Sequence, residues 1–142
     1  MTPPIKPTRA ELAILRVLWA HGPCTVREVH ERLAPAAATG YTTTLKQIQV
    51  MTEKGLVTRA ERGRLHLYKA RGSEGATQKQ LIRDLVDRAF GGSSGRMVLQ
   101  ALSVQPASPD ELREIRQLLD DQERKENEPA RAKEKDTREP KP

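Results

Sequence analysis

Residues 41–70, YTTTLKQIQVMTEKGLVTRAERGRLHLYKA, change their repeat halfway along. At about 100° per residue, Tyr41, Leu45, Ile48 and Thr52 fall on one side, with Thr44 and Met51 beside them. Thr43, Lys46, Gln47, Val50 and Lys54 point the other way, so the spacing predicts an amphipathic helix over Thr42–Lys54. Gly55 then stands where a helix needs a residue of positive φ to end. Beyond it the period drops to two. Leu56–Ala60 and Leu65–Ala70 read as strands joined around Glu61-Arg62-Gly63-Arg64, and a glycine in so short a connection is a hairpin signal.

Toward the N-terminus two more helices are marked by their caps. Thr8-Arg9-Ala10-Glu11 and Thr25-Val26-Arg27-Glu28 both fit the capping box, in which the two side chains satisfy each other's free backbone N–H groups. The first helix carries Leu12, Leu15, Leu18 and Trp19 on one face and stops near His21-Gly22-Pro23; the second faces Val26, Val29 and Leu33 inward. Residues 1–7, with three prolines, form an extended arm, and Ala34–Gly40 a turn. Helix, helix, helix and hairpin make a winged helix-turn-helix over residues 8–72.

After Arg71-Gly72 the pattern stays helical. Leu81, Leu85 and Phe90 line one helix, which stops at Gly91-Gly92; Val98 and Leu102 lie inside a second. Ser108-Pro109-Asp110-Glu111 caps a third, which carries Leu112, Ile115, Leu118 and Leu119. Three short helices without a large side chain beyond Phe90 rarely fold alone. They either pack back on the first domain or pair with a second copy, and pairing is expected for residues 73–124. From Lys125 onward 11 of 18 residues are charged, which predicts a disordered tail over 125–142. The fold class is therefore mainly α with a small β-hairpin, a winged helix-turn-helix domain followed by a three-helix dimerisation region.

The net charge of +6 is uneven. Residues 1–72 hold 12 Lys and Arg against 5 Glu and no Asp, whereas residues 73–124 hold 7 basic and 9 acidic groups. A basic module joined to a near-neutral one points to a polyanion partner for the first half. The third helix presents short polar side chains that enter a major groove without conflict. Gln47 can pair with adenine, Lys46 reaches guanine or phosphate, Thr42 and Thr43 serve base or backbone, and Val50 lies against a thymine methyl. Lys54, Arg27 and, at the hairpin tip, Arg62 and Arg64 are candidate phosphate or groove-edge contacts. The competing reading is a protein-interaction adaptor on the same scaffold, which would not need the basic excess.

Other classes are poorly supplied. Gly91-Gly92-Ser93-Ser94-Gly95 has the spacing of a hydrolase nucleophile elbow, but a helix precedes it where that motif needs a strand. His21, Cys24 and His30 fall a ligand short of a tetrahedral zinc site, so neither metal nor cofactor is expected, and no enzyme. No apolar run exceeds four residues, which excludes a membrane-spanning helix, and a single cysteine without an export signal points to the cytoplasm.

The ordered series Pro7-Thr8, Glu11-Leu12, Ile14-Leu15, Leu18-Trp19, Gly22-Pro23, Thr25–Val29, Gly40–Thr43, Glu53–Val57 and Leu85–Ser93 resembles the penicillinase-repressor (BlaI/MecI) family of bacterial regulators. The resemblance covers about residues 7–124. It implies a homodimeric repressor whose winged helix binds inverted-repeat operator DNA, often with TACA/TGTA-like half-sites, and whose last three helices dimerise. It places Thr42-Thr43 at the start of the recognition helix, and a membrane sensor or protease among the partners. Val50 departs from the family's usual basic residue, and Gln100-Ala101 stands where the β-lactam-responsive members are cleaved at Asn–Phe. The cysteine-rich metal site of the copper-responsive relatives has no counterpart in this tail.

Overall fold

A computed structural model of the chain describes residues 6–37 and 39–137. In chain order these form α1 (Arg9–His21), α2 (Val26–Arg32), a 3-10 turn (Pro35–Ala37), α3 (Tyr41–Lys54), β1 (Val57–Arg62), β2 (Leu65–Ala70), α4 (Glu74–Ala89), α5 (Ser94–Val104) and α6 (Pro109–Thr137). The protein is mainly helical, with one antiparallel hairpin completing a winged helix-turn-helix.

All three capping boxes form. Thr8 Oγ1 accepts from Glu11 N while Glu11 Oε1 accepts from Thr8 N. Thr25 and Glu28, and Ser108 and Glu111, exchange the same pair of bonds. Each such cap contributes about 1 kcal/mol and fixes where its helix begins. Ser93 caps α5 by accepting from Arg96 N, so the glycine-serine run is a helix stop and restart.

One core joins the first three helices to the hairpin: Ile14, Leu15 and Leu18 of α1, Val26 and Val29 of α2, Ile48 and Met51 of α3, and Val57 and Tyr68 of the strands. Removing each large apolar side chain from water is worth roughly 1.5–3 kcal/mol. The buried stripe of α1 runs through Glu11, Ile14, Leu15, Val17 and Leu18, which keeps Leu15 and Leu18 of the expected face. Leu12 and Trp19 flank it half-buried, the indole N–H donating to Gly72 O. The hairpin pairs Val57 with Ala70 through to Arg62 with Leu65, leaving Gly63, at φ 65°, in the tight turn. Cys24 exchanges backbone hydrogen bonds with Tyr68, which pins the α1–α2 link to β2 as a one-residue third strand.

The chain divides into two compact units between Gly92 and Ser93. Thus α4 goes with the winged helix, a helix later than the expected boundary at residue 72. Lys6, at the end of the expected arm, pairs with Asp84 of α4 at 2.8 Å; residues 1–5 lie outside the described residues. In the second unit no side chain between Ser93 and Asn127 is buried. Helix α6 continues to Thr137, so residues 125–137 are helical where the shortage of apolar side chains predicts disorder. That stretch extends α6 with Glu, Lys, Arg and Ala, which favour helix by propensity, and with Pro129, which does not. Residues 138–142 of the expected tail lie outside the described residues.

Candidate nucleic-acid interface

Helix α3 is held from beneath and at both ends. Ile48 and Met51 are fully buried, as is Thr44, whose hydroxyl lies 3.3 Å from His30 Nδ1 and 3.2 Å from Thr39 Oγ1 and donates to Gly40 O. Gly55, at φ 83° and ψ 16°, ends the helix in the left-handed conformation, its N–H meeting the Met51 and Thr52 carbonyls. The inward face therefore centres on Thr44, Ile48 and Met51. Tyr41, expected inside, is 40% exposed: it opens the first turn, edge-on to His30 with ring centroids 5.8 Å apart.

The outward face is open. Thr42, Thr43, Lys46 and Val50 are exposed and Gln47 is half-buried. All five line one groove of about 340 Å³, whose other wall is Glu11 of α1 and its N-cap Thr8. Arg27 stands at the same end of the helix, its guanidinium carbon 5.4 Å above the Tyr41 ring, which orients the cation without removing it from solvent. Arg62 and Arg64 are exposed beside Gly63 at the hairpin tip and do not line this groove.

Lys54, on the same outward side of α3, has a partner within the fold. Its ammonium lies 2.9 Å from Glu11 Oε2; the Lys54 side chain is 39% exposed and the Glu11 side chain only 5%. The helical wheel puts Lys54 on the outward face, and α1, running past that face, pairs its ammonium with Glu11. Burial pushes the Glu11 carboxyl up; the Thr8 N–H, the Lys54 ammonium and the Thr8 hydroxyl outweigh it and hold the group below the usual carboxylate range.

A second cleft, of about 680 Å³, separates the C-terminal half of α3 from the hairpin. Gln49, Thr52, Thr58, Arg59 and Arg71 line it, and neither arginine has a carboxylate partner among the described residues. Sequence reasoning passes over Arg59. Strand alternation holds the signal, because Arg59 is two residues from buried Val57 and opposite buried Tyr68, which turns its side chain toward α3.

Among the described residues no three His, Cys, Asp or Glu come together as a metal site. The Cys24 thiol is buried, donating to Gly22 O and accepting from Arg32 Nη1. Among the described residues no helix is long and apolar enough to cross a membrane.

The expected dimerisation residues are divided between the units. Leu81 and Phe90 are half-buried and Leu85 is exposed in the first; in the second Leu102, Leu112 and Ile115 are half-buried, and Val98, Leu118 and Leu119 are exposed.

The family model of the penicillinase repressor matches residues 7–121. The penicillinase repressor of Bacillus licheniformis is 24% identical over 119 residues, 84% of this chain and 93% of that one. Among solved structures, one described as a possible transcriptional regulator for arsenical resistance is 21% identical, with a TM-score of 0.43 over 60% of this chain and 88% of its own. BpsR of Bordetella bronchiseptica, whose DNA binding 6-hydroxynicotinic acid regulates, is 20% identical, with a TM-score of 0.43 over 86% and 83%.

Proposed function

The chain belongs to the penicillinase repressor family, and from that premise we propose that it is a sequence-specific DNA-binding repressor, occupying an inverted-repeat operator as a cytoplasmic homodimer. The observation that carries this reading is the groove on the outer face of α3, where Thr42, Thr43, Lys46, Gln47 and Val50 converge while the opposite face is locked into the core. At 14 residues and 1.5 Å per residue, α3 is roughly 20 Å long and fits lengthwise in a major groove. Gln47 and Lys46 read base edges, Val50 meets a thymine methyl, and Thr42 and Thr43 approach at the helix N-terminus, where the macrodipole favours phosphate. Arg27, Arg62 and Arg64 hold the backbone and set the register.

Dimerisation is assigned to residues 73–124, which take in α4, α5 and the first part of α6. In support, α5 buries none of its residues, and Leu99 and Val104 are 72% and 83% exposed. Such apolar surface is characteristic of a face that meets a partner. Induction by a membrane sensor and protease has no Asn–Phe pair to act on here, since Gln100-Ala101 stands at that place within α5.

A binding titration of fluorescent operator duplex against salt tests the proposal. With on the order of 6–10 phosphates neutralised per dimer, affinity falls about 10³–10⁵-fold between roughly 50 and 200 mM salt. An affinity that does not change with salt would refute the phosphate contacts and favour the adaptor reading.

A further inference from the structure

Among the described residues Glu11 is the one buried carboxylate, and it touches three parts of the winged helix. Its Oε1 accepts from Thr8 N at 2.9 Å and caps α1; its Oε2 accepts from Lys54 Nζ at 2.9 Å in the last turn of α3. The same side chain walls the groove lined by Thr42, Thr43, Lys46, Gln47 and Val50. A carboxylate there, unpaired, would be both costly to bury and repulsive to an approaching phosphate. An ammonium at the C-terminal end of α3 also suits that helix's dipole.

We propose that Lys54 is a positioning residue rather than a phosphate contact: by neutralising Glu11 in the groove wall it fastens the last turn of α3 to the start of α1 and sets how the recognition helix is presented. The inference rests on the DNA-binding reading for its consequence and on the Glu11–Lys54 geometry for its cause. A lysine that touched phosphate would act through its own charge. A lysine that positions acts through Glu11, so removing the carboxylate as well removes the harm.

The test uses full-length protein carrying Lys54→Met, Glu11→Gln, both together, or Lys54→Arg. Each is titrated with operator and random duplex over a salt series, and each is melted without DNA. The glutamine keeps an acceptor for the Thr8 N–H, so the α1 cap survives the change. Lys54→Met is expected to weaken operator binding about 10-fold or more, and the double variant to return to within about 3-fold of Glu11→Gln, as for a buried charge stripped of its partner. Lys54→Arg, which keeps a cation, rescues most of the loss, and the salt slope does not change across the set. The double variant melts above Lys54→Met.

A double variant as weak as Lys54→Met, with a salt slope lower by about 0.9 for each phosphate left unneutralised, would overturn the proposal in favour of a direct phosphate contact. If Lys54→Met fails to fold, the double variant is expected to fold, and its failure would also overturn the pairing. If the wild-type protein binds no duplex, the DNA-binding reading falls, and the melting order of the four variants still decides for or against the Glu11–Lys54 pair.

Discussion

Gly40 offers a perturbation in which fold stability and DNA binding should move in opposite directions. It is the N-cap of α3, at φ −65° and ψ 154°, with no side-chain cap bond, and among the described residues a Cβ there meets nothing within 4 Å. Any residue adopts that backbone without strain. The first amide N–H groups of α3 have no carbonyl of their own helix to bond. Gly40→Ser supplies an acceptor worth a few tenths of a kcal/mol over glycine, plus about 0.4–1 kcal/mol from a less free unfolded chain. A gain of about 1 kcal/mol in a unit of this size raises Tm by roughly 4–8 °C. Gly40→Asp adds about 0.3–1 kcal/mol through the macrodipole.

If α3 enters DNA by this end, the aspartate places a new negative charge near phosphate in each protomer. At about 1 kcal/mol per close pair in water, two protomers lose about 2 kcal/mol, or about 30-fold in affinity at low salt. The penalty shrinks as the Debye length falls toward about 8 Å at 0.15 M salt. Melting by circular dichroism and anisotropy titration of labelled operator measure both arms. The expected order is aspartate, serine, glycine for stability, and aspartate weakest for binding. Aspartate and serine variants that bind equally at every salt would refute the approach of the α3 N-terminus to DNA.

Gln47→Ala should narrow the gap between operator and random duplex, while Arg64→Ala weakens both alike and lowers the salt slope by about 1 for each phosphate it no longer neutralises; parallel losses would contradict the division of labour. Because the Glu11 carboxyl lies below its ordinary range in the folded protein, its stabilising contribution is present above the unfolded value and is lost as pH falls through the folded one. Acid melts should therefore show a steeper decline for the wild type than for Glu11→Gln, and coincident curves would deny the pairing. Leu118→Glu with Leu119→Glu, at positions 56% and 51% exposed, should leave the winged helix folded yet give a monomer in sedimentation with weakened operator affinity. A dimer that survives both changes would place the interface elsewhere.

Local chemistry makes most of the fold legible. Thr8, Thr25 and Ser108 announce their helices because a capping box joins residues three apart, visible in one line of sequence. Gly55 and Gly63 mark a helix end and a hairpin turn because each position demands positive φ. What is not legible is long-range. Nothing near Lys54 indicates that Glu11, 43 positions earlier, will take its ammonium. The inward face of α3 is legible in Thr44, Ile48 and Met51, whereas Tyr41, on the same side of the wheel, lies in the first turn and is 40% exposed. The third strand at Cys24 is a single backbone pairing with no side-chain periodicity to betray it. The candidate groove is legible as a helix face; its second wall, from α1, is not.

The most direct test of sequence-specific operator binding is selection of sheared genomic DNA on the purified protein at moderate salt, followed by sequencing. Operator binding by a twofold dimer predicts recovered fragments that share one inverted repeat with half-site centres about one helical turn apart. Random fragments, or a shared sequence without twofold symmetry, would contradict it.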